Sequence, residues 1–204
     1  MFQPKRTARQ LISRLSAEQN GGRTKWMGVA TNPWVPFSIQ TGLFSVNPYE
    51  KMATLYSDAG QFNVSTLEQV GRGVAALLSR PVSDEKNPRA SLQHYANNFV
   101  YISSPSTTQH DLFAAALKAT NTSESDWGLT QSTCAERLRV ANEKFAEGNL
   151  LAGADATYAL YMGEGLGGDD EAKAKEDREV LGLREESVER IMEQAVELGA
   201  FSVM

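Results

Sequence analysis

Residues 26–37 have the sequence WMGVATNPWVPF, and the fold of the chain depends on this stretch. It starts within a short, mostly apolar run, residues 25–30, of the kind that forms a strand buried on both faces. Asn32 follows the run, and Pro33 then turns the chain out of the sheet because proline has no N–H for the ladder. Ligands of α/β sheets lie at the carboxyl ends of strands, so this polar and aromatic segment predicts a pocket. The alternative is a plain core strand followed by a turn, and the spacing does not decide between the two.

The composition excludes several classes of protein. The chain has 204 residues, of which 41% are hydrophobic and 22% charged, as in ordinary globular proteins. A net charge of -5 and a pI near 5.2 argue against a nucleic-acid partner, and basic residues cluster only within the first 25 residues. No apolar run approaches the roughly 20 residues of a membrane span, and no apolar segment follows the basic N-terminus as in a signal peptide. We therefore expect a cytoplasmic protein with no nucleic-acid and no membrane partner.

Cysteine and histidine give no metal site. Cys134 is the single cysteine, which excludes an internal disulfide and makes a cysteine-rich metal site implausible. His94 and His110 are the two histidines, and neither has a cysteine or carboxylate at ligand spacing. The sequence therefore predicts no bound metal.

Strand and helix patterns alternate along the chain. Apolar residues at helical spacing predict a helix over residues 3–19 with Ala8, Leu11, Ile12 and Leu15 on its buried face. The β-branched and aromatic run at residues 98–103 predicts a strand. Further helices are expected at residues 108–120, 133–148, 150–161 and 187–198, and another from the capping box at residues 65–68 to Pro81, with Leu67, Val70, Val74, Leu77 and Leu78 buried. Together these elements predict an α/β fold with a helical C-terminal third.

One glycine motif does not predict a nucleotide site. Residues 163–168 match G-x-G-x-x-G, but that fingerprint requires a strand before it and a helix N-terminus after it. The preceding residues have a helical pattern, and Asp169, Asp170 and Glu171 follow, where their carboxylates would repel a phosphate. We expect a solvated, flexible loop instead.

Several segments together resemble a known family. Phe2, Lys5 and Arg9 are similar to the F-x-x-K-x-x-x-R segment of NmrA-like and isoflavone-reductase-like proteins. The strand with Asn32, the run at residues 53–60 with its Asp-x-Gly turn, the helix with Gly71 and the strand ending in Ser103-Ser104 follow in the same order. This order resembles the fungal branch of the family, whose members are atypical short-chain dehydrogenase relatives that use NADPH.

The resemblance implies roles for five residues. Lys5 occupies the position of the catalytic lysine, which handles the proton that accompanies hydride transfer. Asn32 and Pro33 fall at the end of the strand near the cofactor, where the resemblance implies contact with NADPH. Trp34 and Phe37 fall where the family lines its substrate pocket, so a small aromatic or phenolic substrate is implied. Without the resemblance, Lys5 is better interpreted as a surface lysine on a basic helix.

The chain also departs from the family pattern. No strand with a glycine-rich G-x-x-G-x-x-G turn precedes residue 1, so the resemblance implies the C-terminal portion of such a protein. On this interpretation, residues 1–104 form a partial, incomplete Rossmann-like, doubly wound parallel sheet, and residues 105–204 form a mainly helical substrate-binding region. The strand at residues 25–31 would keep an exposed apolar edge, which predicts self-association.

Three functions fit these observations. The first is an NADPH-dependent oxidoreductase, truncated and inactive alone, and the second is a non-catalytic regulator or nucleotide sensor. The third is a remnant fragment that keeps only the packing of the second half. Spectroscopic titration with NADPH and NADP+ would separate them.

Overall fold

The computed structural model describes residues 3–18 and 24–200. These residues form eight α-helices and seven β-strands in an alternating order, with short 3₁₀ turns between some of them. The helices are α1 (Gln3–Glu18), α2 (Val35–Gln40), α3 (Leu67–Leu78), α4 (Gln109–Ala119), α5 (Cys134–Ala146), α6 (Ala152–Met162), α7 (Glu171–Leu181) and α8 (Val188–Leu198). The strands are β1 (Met27–Ala30), β2 (Val46–Asn47), β3 (Met52–Tyr56), β4 (Phe62–Asn63), β5 (Asn98–Tyr101), β6 (Ser106–Thr107) and β7 (Gly128–Ser132).

The strands form two parallel pairs. β1 pairs with β5, with Met27 opposite Asn98 and Ala30 opposite Tyr101. β3 pairs with β7, and the short strand β2 joins the other edge of β3 in antiparallel orientation. β4 and β6 form a further two-residue antiparallel pair. Parallel strands require long crossover connections, and the chain between β1 and β5 supplies one that contains α2 and α3.

Two clusters of buried side chains hold these elements together. The larger cluster joins the β3 sheet to α2, α4 and α8. Within it, Phe44 and Phe62 stack at 5.3 Å, and the rings of Phe113 and Trp127 meet edge to face at 5.2 Å. The smaller cluster lies between α3, β5 and α7 and consists of Leu77, Tyr95, Val100, Ile102 and Leu181.

Most of the predicted elements are present. The helices over residues 108–120, 133–148 and 187–198 are confirmed as α4, α5 and α8, and the first helix is confirmed as α1. The predicted capping box before α3 is displaced by one residue, because Thr66 rather than Ser65 is the N-cap and accepts the Gln69 N–H at 3.0 Å. Two helices were not predicted: α2, in a segment expected to be irregular, and α7.

Some predictions of burial were wrong. The strand β1 was expected to be buried on both faces, but Met27 and Val29 are 36% and 39% exposed. β1 pairs only with β5 within residues 24–200, so its second edge lacks a strand there. The apolar stripe of α1 is likewise exposed, with Leu11 at 45% and Ile12 at 47%. In α3, Leu77 is buried as predicted, but Leu67 and Leu78 are exposed because Gln69 and Gly73 form the rest of the buried face.

The predicted division at residue 104 stays a prediction. Elements from both sides of this position pack together, since β7 pairs with β3 and α8 packs on α2. Among the described residues, no helix is both long and apolar enough to cross a membrane.

Candidate functional site

The carboxyl ends of β1 and β5 lie side by side. The Ile102 N–H donates to the Ala30 carbonyl at 2.9 Å, just beyond the last paired residues of the two strands. Asn32 follows β1, and the buried residues Ser103 and Ser104 follow β5. Parallel strands end at the same edge of a sheet, so this edge collects polar side chains where α/β sheets bind ligands.

Asn32 adopts an unusual backbone conformation at this edge. Its φ of 55° lies in the left-handed region, which asparagine tolerates better than most residues. Its Oδ1 accepts a hydrogen bond from the Tyr161 hydroxyl at 2.9 Å, whereas its buried Nδ2 has no partner among the described residues. Buried polar atoms are normally paired, so this amide is a candidate donor to a ligand.

Tyr161 fixes the orientation of Asn32. Its hydroxyl also lies 2.8 Å from the carbonyl oxygen of Asn63. Burial raises the pKa of Tyr161 well above its ordinary value, with further contributions from the Asp170 and Asp169 charges and from Tyr158. The phenol therefore stays protonated and acts as a donor.

The segment after Asn32 is held by backbone hydrogen bonds. The Pro33 carbonyl accepts the Ser65 N–H at 2.9 Å, and the Val35 N–H donates to the Ser65 carbonyl at 3.0 Å. Trp34 and Phe37 lie on either side of the start of α2, and each is 41% exposed. Four of the five predicted site residues thus lie in one short stretch of the chain, with two aromatic side chains at the surface.

Lys5 lies elsewhere. It lines a cavity of about 400 Å³ between α1 and the β1–β5 sheet, together with Trp26, Gly28 and Phe99. None of the other four predicted site residues lines this cavity. Gly28 and Asn32 are four residues apart, which is at most about 13 Å along an extended chain. The cavity with Lys5 therefore reaches to within about 13 Å of Asn32, although Asn32 does not line it.

A cluster of charged residues closes the same edge of the sheet. The Glu186 carboxylate accepts hydrogen bonds from Thr66 Oγ1 at 2.9 Å, from the Ser104 hydroxyl and from Arg72 at 2.6 Å. Arg178 forms an ion pair with Glu171 at 2.5 Å and donates to Ser103 Oγ at 2.8 Å. These pairings leave the serine hydroxyls engaged in hydrogen bonds and anchor the segments before α8 and within α7.

The Glu171 carboxyl is held in its charged form. Burial alone would raise the pKa of Glu171, but hydrogen bonds from Arg178 and from Asn63 Nδ2, the latter at 2.8 Å, lower it below its ordinary value. Glu171 is thus a permanent anion near physiological pH and serves to position Arg178 rather than to exchange protons.

The residues at this edge fit a nicotinamide cofactor in part. The unpartnered Asn32 Nδ2 fits a contact with a cofactor carbonyl, hydroxyl or phosphate oxygen. The start of α2 has no phosphate cradle, because the Val35 N–H is bonded to Ser65 and Pro36 has none to offer. The start of α3 is occupied by the negative charge of Glu186. The described residues therefore fit part of such a cofactor and show no pyrophosphate cradle at either helix.

The G-x-G-x-x-G segment is also excluded as that cradle. It follows α6 rather than a strand, as expected, and leads into α7. Residues 164–167 are exposed, as predicted for a solvated loop. Both ends are held, since the Gly168 carbonyl accepts the Asn63 N–H at 2.9 Å and Ala59 bridges to Gly163. A Cβ at Gly168 would lie 1.9 Å from the Tyr161 carbonyl oxygen, so this glycine permits close packing of the loop.

Other reactive groups lie outside this edge. Cys134 is 2% exposed, and burial together with the nearby Asp58 charge raises the pKa of its thiol to about 12, so it is not a nucleophile. The described residues contain no cluster of three His, Cys, Asp or Glu side chains suited to a metal.

Sequence reasoning missed several residues of the edge, among them Tyr161, Asn63, Arg178 and Glu186. Tyr161 belongs to the helix predicted over residues 150–161, but nothing in the local pattern indicated that it meets Asn63. The contacts join positions far apart in sequence, from 75 residues for Arg178 with Ser103 to 129 residues for Tyr161 with Asn32.

Comparisons with known proteins support the fold. No family model matches the chain, and no curated protein matches its sequence significantly. The structure is similar to that of a nucleoside-diphosphate-sugar epimerase from Staphylococcus aureus, with 14% identity and a TM-score of 0.57 over 90% of this chain and 56% of the epimerase. It is also similar to the protein gox2253, with 14% identity and a TM-score of 0.50 over 93% of this chain and 52% of that protein.

The chain thus spans little more than half the length of these two solved structures. At this level of identity the likeness concerns the fold, and it confirms the predicted α/β class of the Rossmann-like kind, with parallel strands and many helices.

Proposed function

We propose that this chain is part of an NAD(P)-dependent oxidoreductase that acts on a small aromatic or phenolic molecule. The observation that carries the proposal is the buried Asn32 amide, which lacks a partner at the carboxyl end of a parallel strand. The similarity in fold to a nucleoside-diphosphate-sugar epimerase supports it. The resemblance to NmrA-like and isoflavone-reductase-like proteins, and to their fungal branch in particular, belongs to the same proposal, as does NADPH as the preferred cofactor.

The roles of the residues follow from their positions. Asn32 donates a hydrogen bond from its Nδ2 to the cofactor. Pro33 has no backbone N–H, so it adds no competing donor beside Asn32. When bound, NADPH supplies the hydride. Lys5 gives a proton to the oxygen of the reduced substrate group and regains it from water. Trp34 and Phe37 provide exposed aromatic surface for the substrate ring beside Asn32.

A second function is a nucleotide sensor without turnover. It is favoured by the position of Lys5, which lines a cavity that Asn32, Pro33, Trp34 and Phe37 do not line. Self-association through the second edge of β1 is compatible with either function and stays a prediction.

Fluorescence titration with NADPH tests the proposal. We expect binding that Asn32→Asp weakens about tenfold, because this change removes the donor while aspartate still tolerates a left-handed backbone. Asn121→Asp is the matched control, since Asn121 has a φ of 51° and lies on an exposed loop. Absence of NADPH binding would contradict both functions.

Turnover separates the two functions. NADPH oxidation with 4-hydroxybenzaldehyde or related phenolic carbonyl compounds is expected for the oxidoreductase. Lys5→Ala should then lower kcat at least 100-fold with unchanged NADPH binding, whereas Lys144→Ala, an exposed lysine of α5, should not. Binding without oxidation of NADPH would favour the sensor.

A further inference from the structure

The charges of α1 differ from those of the rest of the chain. The first 25 residues carry six basic residues and one acidic residue, whereas residues 26–204 carry 14 basic and 24 acidic residues. Lys5, Arg6 and Arg9 all line the cavity of about 400 Å³ between α1 and the β1–β5 sheet. The ion pair that α1 forms within the described residues is between Arg14 and Glu18, outside the cavity. The three cations that line the cavity have no carboxylate within ion-pair distance in that part of the chain.

The opposite wall of this cavity is apolar and aromatic. The rings of Trp26 and Phe99 meet edge to face at 5.6 Å, and Ile12, Met27 and Ala8 complete the lining. Gly28 makes room for the Phe99 ring, because a Cβ there would lie 2.5 Å from its Cδ1 and Cε1. Arg9 already lies over this ring, with its Cζ 6.0 Å from the ring centroid. The cavity therefore combines an aromatic wall with unneutralised positive charge.

We infer that the cavity binds an aromatic carboxylic acid, with its ring against Trp26 and Phe99 and its carboxylate held by Arg6 and Arg9. The guanidinium group matches a carboxylate with two parallel N–H donors. The volume is within the roughly 300–1,000 Å³ typical of small-ligand sites. The inference goes beyond the proposed function, since it describes a ligand site of its own on the α1 face, which Asn32, Trp34 and Phe37 do not line.

A second copy of the chain is a poorer occupant of this face. In a symmetric dimer the same patch meets itself, so the cations of one α1 would lie close to those of its partner. Like charges in contact are unfavourable, and the patch has no acidic residue to offset them. A small anion neutralises the charge without this repulsion.

Isothermal titration without cofactor tests the inference, with 1-naphthoate and its neutral counterpart 1-naphthamide as probes. We expect naphthoate to bind at least tenfold more tightly than naphthamide. Arg6→Gln and Arg9→Gln should each weaken naphthoate binding about tenfold and leave naphthamide binding nearly unchanged. Arg14→Gln, on the same helix but outside the cavity, should leave both affinities unchanged.

Three results would overturn the inference: equal affinity for the two probes, equal weakening by Arg14→Gln, or no naphthoate binding together with dimerisation in sedimentation experiments. Because no cofactor is present, the outcome does not depend on NADPH binding. Binding of naphthoate without binding of NADPH would support the inferred site and contradict the proposed function. Binding of NADPH without binding of naphthoate would contradict the inferred site alone.

Discussion

The Tyr95 hydroxyl donates a hydrogen bond of 2.8 Å to Oδ1 of Asp177, and both residues are buried. The second carboxylate oxygen, Oδ2, accepts the Tyr101 N–H at 2.7 Å. Asp177 lies in α7, and Tyr101 is the last residue of β5, so this carboxylate covers part of the outer edge of β5. An edge strand closed by a buried acceptor cannot pair with another chain there.

Tyr95→Phe should destabilise the protein by about 1–3 kcal/mol, because it leaves a buried carboxylate oxygen without its donor. Burial, together with the hydrogen bond to Asp177, raises the pKa of Tyr95, so the phenol remains a donor at all ordinary pH values. Asp177→Asn should cost a similar amount, and urea unfolding of both single variants and the double variant measures the coupling. The double variant should lose less than the sum of the single losses.

Tyr101→Phe is the matched control for the loss of a tyrosine hydroxyl. It keeps the backbone N–H that Asp177 accepts and removes a hydroxyl whose partner is the exposed Lys173. Its effect should stay below about 0.5 kcal/mol. Strict additivity of Tyr95→Phe and Asp177→Asn would contradict the proposed coupling.

Local sequence signals predicted the elements well where caps and apolar spacing agree. Thr133 caps α5 and Ser187 caps α8, each by accepting a backbone N–H at the first turn. The helix α7 was missed because the many charged residues of its segment hide its apolar face, and its buried Asp177 looks like a surface residue in sequence. The burial of α1 and β1 was overestimated because a pattern shows which face is apolar, not whether another element covers it.

The sequence predicted only those residues of the candidate site that lie together in one stretch of the chain. Asn32, Pro33, Trp34 and Phe37 are consecutive or nearly so, and their grouping at the end of β1 follows from the strand signal alone. Tyr161 lies at this edge because α6 packs there, and no local sequence pattern indicates such a long-range contact. The placement of Lys5 in a separate cavity depends on the angle between α1 and the sheet, which the sequence does not encode locally.

Asp58→Asn should make stability less dependent on pH. The Asp58 carboxylate accepts the Cys134 N–H and, at 3.1 Å, the Ala135 N–H at the start of α5. Burial alone would raise the pKa of Asp58, but these hydrogen bonds lower it. A lowered pKa means that the carboxylate stabilises the fold above its unfolded pKa of about 3.9 and loses this effect as the pH falls through the folded value.

Urea unfolding at pH 7 and pH 3 measures this effect. At pH 7, Asp58→Asn should cost about 1 kcal/mol, and the difference from the natural chain should shrink at pH 3. Asp84→Asn is the control, since Asp84 also accepts two backbone N–H groups, from Lys86 and Asn87, but in an exposed loop. A difference that is the same at both pH values would contradict the role of the Asp58 charge.

Gly73 and Gly71 in α3 should respond to alanine in opposite directions. A Cβ at Gly73 would lie 2.6 Å from Cγ2 of the fully buried Ile102, whereas a Cβ at Gly71 meets nothing within 4 Å. Gly71→Ala should stabilise the chain by about 0.5–1 kcal/mol, because alanine loses less entropy in a helix. Gly73→Ala gains the same propensity but overpacks the contact of α3 with β5, and should cost about 1–3 kcal/mol.

The cause of the Gly73 effect is tested by making room on the other side of the contact. Ile102→Val removes one methyl group and alone should cost about 0.5–1.5 kcal/mol. If crowding against Ile102 is responsible, Ile102→Val should cost less in the Gly73→Ala background than in the natural chain, because the cavity and the added methyl group offset each other. Thermal unfolding of the four chains gives this coupling. A Gly73→Ala variant as stable as Gly71→Ala would mean that α3 shifts away from β5 without loss, and that the close approach at Gly73 is not required by the fold.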